Sequence, residues 1–421
     1  MKTKAIRFYG ACDLRLEEVE LPEIQEDEIL AEVVSDTMCA STYKAVQQGK
    51  EYYRAPDDIA VKPVMIGHEL CGIIRKVGKK WRETYKEGEK FVIQPAIPGE
   101  IAAAGFSYPY FGGCTQYTII PEVAIRKGAI MTYHSDEAYL GSLTEPMSCV
   151  IHTFHAMYHL GADYTEHIMG IREGGNCAIF AGAGPMGMAA IDYAIHCDRK
   201  PGTLLVTDID ERRLERVASI YSVEEAKKNG VKLCYLNTSE KDAEEQVMAL
   251  TEGKGYDDIL VMAPVKPVIE MADRVLAEDG CLNFFSGPSD KSLKAEINFY
   301  DVHYMKHHYI GTTGGRTEDI RETVDLLEES RLNPSGLVTH VGGLDTVIDS
   351  IMNFPRIPGG KKLIYPHIKF PLTAITEFRD KGMKDPMFRE LADICDRHNG
   401  LWCGEAEKYL LAHAEKISNE E

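Results

Sequence analysis

The chain has 421 residues, a length that exceeds one ordinary hydrophobic core and predicts two or more domains. It is 44% hydrophobic and 27% charged, and its formal net charge of −19 argues against nucleic acid or an acidic membrane surface as its main partner. The first residues, MKTKAIRFYG, lack the apolar run of a signal peptide, and no stretch is long enough to span a bilayer. Because the 11 cysteines show no paired CxxC spacing, we expect free thiols and a cytoplasmic protein.

The first 150 residues predict a β-rich domain. Long helical patterns are absent there, and short runs rich in β-branched residues are bounded by turn residues at 28–34, 71–77, 90–94 and 116–120. Residues 97–113, rich in glycine, alanine, proline and aromatic residues, are predicted to form a loop or lobe.

From about Met147 the pattern changes, and apolar strand-like runs alternate with amphipathic helical segments. Strands are predicted at 176–181, 203–207, 231–236, 257–262 and 281–285, with helical patterns at 211–221 and 267–277. This alternation predicts an α/β fold with a doubly wound parallel sheet.

After Gly311 the alternation weakens. A helix is predicted at 317–330, a strand that returns to the first domain at 363–365, and further helices at 387–398 and 405–417. We therefore divide the chain into a β-rich domain, a parallel-sheet domain, a return to the first domain and a helical C-terminal extension, at 1–150, 151–311, 312–370 and 371–421.

Gly182, Gly184 and Gly187 form the sequence GAGPMG directly after a predicted strand and at the start of a predicted helix. Glycines permit a tight turn and a close approach of the pyrophosphate, whose charge lies at the helix N-terminus. Pro185 and Met186 complete the turn. A glycine turn in an α/β domain can also bind nothing, but the order of strand, turn, helix and second strand favours a dinucleotide site.

The second strand of this unit ends at Asp208, where a carboxylate can bond the adenosine ribose and repel a 2′-phosphate. We therefore expect NAD(H) as the cofactor. Arg213 is expected near the adenosine end, and together with Arg212 it could support some NADP(H) binding.

Cys39, His68 and Glu145 are candidate metal ligands. A thiolate, an imidazole and a carboxylate leave a fourth position open, which is typical of a catalytic rather than a structural zinc ion. Such an ion acts as a Lewis acid on a carbonyl or an alcohol. A single cysteine or histidine is more often a packed core residue, so this prediction depends on finding all three together with a dinucleotide motif.

The segments MCAS, GHELCGIIRKVG, TEPMSC, GAGPMG and PGGKKLIY occur in the order seen in the zinc-containing medium-chain dehydrogenase/reductase superfamily, which the chain resembles over about residues 1–366. The resemblance implies a Rossmann domain and a GroES-like catalytic domain. It also implies one catalytic zinc on the three ligands above, with Glu69 as a second or exchanging carboxylate and Ser41 as the hydroxyl that passes the proton of the substrate alcohol.

The chain departs from the family pattern at two places. Many members carry a four-cysteine structural zinc lobe near positions 95–115, where this sequence has only Cys114, so we expect no structural zinc. Lys44 stands where many members carry a proton-relay histidine. It could end the relay, contact an anionic group of the substrate, or be a solvated surface lysine.

Other histidines are less promising as ligands. His152, His155 and His159 lie at helical spacing, but HxxH is not the HExxH zinc motif, so packing is the better interpretation. His340 is interpreted as structural.

The Cys/His/Glu ligand set resembles the polyol branch of the superfamily rather than the ethanol branch. The whole chain, including DTMCASTYK and the helical tail, is similar to sorbose-1-phosphate reductases, which implies interconversion of L-sorbose 1-phosphate and D-glucitol 6-phosphate. Lys44 and Arg316 are candidate phosphate contacts, although Arg316 and Lys361 could instead face the cofactor.

Two alternatives remain open at this point. The chain could oxidise an unphosphorylated polyol or an amino alcohol. It could also be a non-catalytic NAD-binding protein with a redox-responsive interaction role. In each case we expect a homo-oligomer, a dimer or a tetramer, as implied by the resemblance.

Overall fold

In the computed structural model, which describes residues 1–418, the chain divides into two units of discontinuous sequence. The first contains Met1–Glu145, Arg316–Glu328 and the chain from Ser335 onward, and the second contains Pro146–Gly315 and Glu329–Pro334. The first boundary falls inside a helix, at Glu145 rather than at 150, and the second falls at Gly315 rather than at 311. The C-terminal extension belongs to the first unit instead of standing apart.

The strands, in chain order, are β1 (Lys2–Gly10), β2 (Asp13–Glu20), β3 (Ile29–Met38), β4 (Val64–Met65), β5 (Leu70–Val77), β6 (Lys90–Ile93), β7 (Tyr117–Ile120), β8 (Ile130–Tyr133), β9 (Tyr158–Leu160), β10 (His167–Met169), β11 (Asn176–Phe180), β12 (Thr203–Asp208), β13 (Lys232–Asn237), β14 (Tyr256–Val261), β15 (Leu276–Phe284), β16 (His308–Gly311), β17 (Val338–Gly343), β18 (Lys361–Tyr365), β19 (Ile368–Lys369), β20 (Thr373–Ala374) and β21 (Glu415–Lys416).

The α-helices are α1 (Ala40–Gln48), α2 (Glu122–Arg126), α3 (Ala138–Gly141), α4 (Thr144–Ala156), α5 (Pro185–His196), α6 (Glu211–Ile220), α7 (Val223–Lys228), α8 (Ala243–Ala249), α9 (Lys266–Arg274), α10 (Phe299–Tyr304), α11 (Thr317–Glu328), α12 (Val347–Met352), α13 (Phe378–Lys381), α14 (Pro386–Arg397) and α15 (Gly404–His413). Within the described residues, no helix is long and apolar enough to cross a membrane.

The first unit is built on a sheet with the strand order β20-β17-β18-β3-β5-β6-β8, to which β7 adds by pairing with β3. Along β3, buried Ile29, Ala31 and Val33 alternate with half-buried residues, as expected for a strand with one face on a core. β18 runs antiparallel to β3, with Lys362 opposite Met38. The returning strand therefore lies beside the strand that leads to Cys39.

The second unit contains six parallel strands in the order β13-β12-β11-β14-β15-β16. The central strands β11, β12 and β14 are nearly continuous runs of buried residues, because helices cover both faces of such sheets. The predicted doubly wound parallel sheet is confirmed.

The C-terminal extension has its own apolar core. Phe378 lies 5.8 Å from Phe388 and 6.3 Å from Trp402 between ring centroids, and Trp402 is completely buried. The last predicted helix is shorter than expected: α15 ends at His413, and Glu415–Lys416 pairs with β19. Ala414 adopts an extended backbone, which ends the helix there.

Candidate active site

The first part of the site forms where β3 ends and α1 begins. Cys39 has an extended backbone (φ −112°, ψ 147°) and caps α1, which places Ser41 on the first helical turn. The Cys39 sulfur accepts hydrogen bonds from the side chain and backbone of Ser41. Burial raises the pKa of the Cys39 thiol, and the nearby Glu69 carboxylate raises it further.

The second part is the turn before β5, which requires glycine at position 67. Gly67 has a φ of +92°, and a Cβ atom there would overlap the Asp36 carboxylate and come within 2.5 Å of the Cys114 backbone nitrogen. The backbone N–H of Glu69 donates to Asp36 Oδ1 at 3.0 Å. The turn thus fixes the positions of His68 and Glu69 just before the start of β5.

These two parts bring Cys39, His68 and Glu69 together, with their potential ligand atoms all within 4.8 Å of one another. His68 Nε2 lies 3.3 Å from Ser41 Oγ, and His68 Nδ1 lies 3.3 Å from Thr42 Oγ1. The candidate proton-passing hydroxyl is therefore adjacent to both the imidazole and the thiol.

Glu69 is held by Lys361 and Thr37, which the sequence analysis did not place at the site. Lys361 Nζ donates to both Glu69 carboxylate oxygens, at 2.5 and 2.6 Å, and both side chains are buried. The Thr37 hydroxyl also donates to Glu69. Burial works against both charges, but the pair keeps the pKa of Glu69 below and that of Lys361 above its usual range. Lys361 thus contacts Glu69, whereas the sequence analysis left open a position facing the cofactor.

Glu145, at the start of α4, lies close to this group but outside the three atoms that converge. Burial raises the pKa of Glu145 to about 7, and the charge of Glu69 adds to this effect. Cys39 and His68 also influence it electrostatically. Glu145 is therefore in the same electrostatic environment as the cluster of three.

The donor set fits a zinc ion. Sulfur, imidazole nitrogen and carboxylate oxygen are the ligand types that zinc takes in proteins. Cys39, Glu69 and Glu145 can together carry more negative charge than Lys361 alone compensates, and buried uncompensated charge is costly. A divalent cation held by Cys39, His68 and a carboxylate would balance this charge.

The two candidate phosphate contacts differ in their surroundings. Lys44 is half-buried on α1, one turn after Ser41. Because residues three apart share a helix face, Lys44 lies on the side of the helix that carries Ser41. Arg316 is more than half exposed, with its Nε 3.3 Å from Asp319 Oδ2. Lys44, not Arg316, is thus associated with the cluster through its own helix.

The glycine turn of the second unit has the geometry expected from its sequence. α5 begins at Pro185 with Gly184 as its N-cap and with no side-chain capping bond, so backbone N–H groups remain at this helix end. The helix packs closely on the turn, and a Cβ atom on Gly187 would overlap the backbone of Gly182, so this packing requires glycine at position 187. Such an N-terminus suits a pyrophosphate.

Asp208 ends β12 beside this turn. Its carboxylate accepts the backbone N–H groups of Ala183 at 3.3 Å and Ile209 at 2.9 Å. Arg213 lies on the first turn of α6 and is mostly exposed, with Asp210 as its ion-pair partner at 3.8 Å. Both residues therefore lie at the strand end that follows the glycine turn.

His155 and His159 each have a side-chain partner in the second unit. His159 Nε2 lies 3.0 Å from Asp258 Oδ1, and His155 Nε2 lies 3.2 Å from the Tyr193 hydroxyl. His340 lies on β17, where burial lowers its pKa to about 4. These contacts agree with a packing role.

Comparison with known proteins gives the family. Residues 25–128 match the alcohol dehydrogenase GroES-like domain, and residues 185–329 match the zinc-binding dehydrogenase family. The mannitol-1-phosphate 5-dehydrogenase of Aliivibrio fischeri is 47% identical over 97% of both chains, and the L-sorbose 1-phosphate reductase of Klebsiella pneumoniae is 43% identical over 99% of both. A solved alcohol dehydrogenase from Escherichia coli CFT073, complexed with NADH, has a TM-score of 0.66 at 18% identity and covers 87% of this chain and 99% of its own. This chain therefore belongs to the zinc-dependent medium-chain dehydrogenase/reductase superfamily.

Proposed function

We propose that the protein is a zinc- and NAD(H)-dependent dehydrogenase that interconverts a ketose phosphate and a polyol phosphate. The observation that carries this proposal is the convergence of Cys39, His68 and Glu69. Two relatives that match nearly the full chain are named for mannitol 1-phosphate and L-sorbose 1-phosphate. Their names support L-sorbose 1-phosphate and D-glucitol 6-phosphate, or a stereoisomeric pair, as the substrates.

When bound, a zinc ion supplies a Lewis acid that favours loss of the alcohol proton. The protein contributes the proton path and the orientation of the groups. Ser41 would relay the proton of the substrate hydroxyl, with its Oγ accepting that proton while its own proton passes to water, and its proximity to His68 keeps it at the cluster. Lys361 and Thr37 fix the Glu69 carboxylate.

For the dinucleotide, we propose that the N–H groups at the start of α5 bind the pyrophosphate, with Gly182, Gly184, Pro185, Met186 and Gly187 forming the turn. Asp208 then bonds the ribose and disfavours a 2′-phosphate. When bound, the nicotinamide ring would supply the hydride acceptor or donor for the substrate carbon. We propose NAD(H) as the main cofactor, with weaker use of NADP(H) through Arg213.

We further propose one catalytic zinc per chain and no structural zinc. Cys114, the lone cysteine of the segment in which the family pattern often has a four-cysteine site, is buried and donates its S–H to Asp36 at 3.2 Å. A metal analysis that gives two zinc ions per chain would contradict this part of the proposal.

The function is tested by a spectrophotometric screen with zinc-loaded protein and either NAD(H) or NADP(H). Polyol phosphates and ketose phosphates are compared with the corresponding free sugars and polyols. We expect turnover of a phosphorylated substrate, with kcat/KM at least about ten-fold above that for its unphosphorylated form, since one charge-assisted contact contributes more than about 1.4 kcal/mol. Equal turnover of the free polyol would support the polyol alternative, and no turnover would contradict the proposed enzyme.

Lys44 is tested separately as the phosphate contact. We expect Lys44→Met to raise KM for the phosphorylated substrate and to leave KM for the free polyol unchanged. Lys50→Met is the matched control, because Lys50 is exposed beyond the end of the same helix. A loss of kcat that is equal for both substrates would instead assign Lys44 to the proton relay.

A further inference from the structure

The C-terminal extension carries a buried carboxylate that the proposed chemistry does not use. Glu407, on α15, is only 2% exposed. Its carboxylate accepts the backbone N–H groups of Ala138 and Tyr139, each at 2.9 Å, and the hydroxyl of Tyr365 at 2.9 Å. Burying a carboxylate without hydrogen bonds would be costly. The three donors offset this cost and indicate that Glu407 has a structural role in these contacts.

Glu407 caps the N-terminus of α3, a helix of one turn. The N-cap residue of α3, Glu137, makes no capping bond of its own, so the first N–H groups of α3 depend on Glu407. In return, Glu137 Oε1 accepts the backbone N–H of Gly404 at the start of α15, at 3.1 Å. A Cβ atom on Gly404 would overlap that carboxylate, so a residue with a side chain could not form this contact. Each helix thus supplies the cap of the other.

The capped helix α3 lies shortly before Glu145 in the chain. Ser35 Oγ, on β3, lies 2.9 Å from the carbonyl of Ala138 and 2.5 Å from Ser142 Oγ, just after α3. The Ser142 carbonyl lies 3.2 Å from Thr37 Oγ1, the hydroxyl that donates to Glu69. Glu145 follows three residues after Ser142 in the chain. Polar contacts therefore lead from Glu407 through α3, Ser142 and Thr37 to the Glu69 carboxylate, and the same segment continues along the chain to Glu145.

We propose that Glu407 is a positioning residue for the metal centre: by capping α3 it holds the segment Ala138–Glu145 against β3 and so fixes the carboxylates that face Cys39 and His68. This inference rests on the proposed zinc-dependent function. It gives the extension a role in metal binding and catalysis although none of its residues belongs to the cluster of potential ligands.

Glu407→Gln is the main test variant. In the carboxylate, one oxygen accepts from Ala138 and the other from Tyr139 and Tyr365. Whichever way a glutamine amide is turned, its NH2 group faces one of the two backbone N–H groups, and one cap of α3 is lost. Loss of a group that orients metal ligands typically weakens metal affinity or activity by about 10–100-fold. We expect an at least ten-fold loss of zinc affinity, a lower kcat with little change in KM, and dinucleotide affinity within about two-fold of the wild type.

Two controls separate positioning from general packing of the extension. Glu405→Gln changes an exposed glutamate two residues earlier, which pairs with Arg397. Tyr365→Phe removes the third donor and the bond from Trp402 but leaves both caps of α3. We expect both variants to retain wild-type zinc affinity, measured by competition with a chromogenic chelator.

Ala138→Pro provides a second route in case the glutamine variant folds poorly. Position 138 is the first helical residue, where proline is well tolerated, and the preceding residue has an extended backbone that proline accepts. The ring replaces the N–H and displaces the Glu407 carboxylate, so zinc affinity is again expected to fall. Wild-type zinc affinity in both Glu407→Gln and Ala138→Pro would overturn the inference, whereas a wild-type chain that binds no zinc would overturn the proposed function.

Discussion

At the scale of single residues, the buried ion pair between Lys361 and Glu69 holds a carboxylate of the candidate metal site in place. The sequence predicts Cys39, His68 and Glu145 as metal ligands and Glu69 as a second carboxylate, and the structure brings Cys39, His68 and Glu69 together. Lys361 lies 292 positions from Glu69, in a strand whose pairing no local pattern specifies. Only the antiparallel pairing of β18 with β3 places its ammonium group on the carboxylate.

Lys361→Met is expected to destabilise the protein by about 3–5 kcal/mol, because it leaves the Glu69 carboxylate buried without its cation. Lys362→Met is the matched control. The Lys362 ammonium donates to the Gly360 carbonyl and lies over the Phe354 ring, but within the described residues it does not contact a carboxylate. We therefore expect a smaller loss of stability for this variant. The free energy of unfolding is measured by denaturant titration. The double variant Lys361→Met with Glu69→Gln should recover part of the loss, and no recovery would contradict this account.

Cys39→Ala is expected to abolish turnover and bound zinc, since the thiolate is one of the three groups that converge. Dinucleotide affinity should change little, because the glycine turn belongs to the other unit. Cys12→Ala, at an exposed thiol, is the control. Metal content and dinucleotide titration are measured on the same samples, and near-normal turnover of Cys39→Ala would show that the metal hypothesis is wrong.

At the scale of elements, burial determined which strands were predictable. β11, β12 and β14 are nearly continuous buried runs, and each was predicted within a few residues. β1 and β2 were not predicted, because only one residue of β2 is fully buried and the pair has many charged residues that do not suggest a strand. β21 was predicted as helix because nothing in its local sequence shows its pairing with β19.

The turn between β12 and α6 carries a prediction on cofactor preference. Asp208→Ser removes the negative charge at the strand end and is expected to reduce the ratio of kcat/KM for NAD to that for NADP. Glu211→Gln, an exposed neighbour that accepts from Asn237, is the control and should keep the ratio. An unchanged ratio in Asp208→Ser would show that another group recognises the ribose.

At the scale of the whole molecule, one surface of the second unit has the features of an association site. β16 ends the six-stranded sheet, and no other strand in the described part of the chain pairs with its outer edge. The neighbouring helix α10 exposes Phe299, Tyr300 and Tyr304 by 77%, 65% and 60%. Free strand edges and exposed aromatic groups are typical of sites that associate, and a two-fold axis pairs one edge strand with its copy.

We therefore expect a dimer that uses this surface. Phe299→Glu combined with Tyr304→Glu should shift the mass measured by light scattering toward the monomer. Tyr53→Glu, at an equally exposed tyrosine of the first unit, should leave the mass unchanged. A wild-type monomer, or an unchanged mass in the double variant, would contradict the expectation.

The discontinuous first unit has a consequence for the order of events during synthesis. The second unit is almost entirely one stretch of chain, Pro146–Gly315, and nascent domains fold as units once their residues have been made. β3, in contrast, must wait for β18, and α3 must wait for Glu407 near the end of the chain. A ribosome-bound chain would thus have a dinucleotide fold well before it has a complete metal centre, and loading of the ion becomes one of the last steps of maturation.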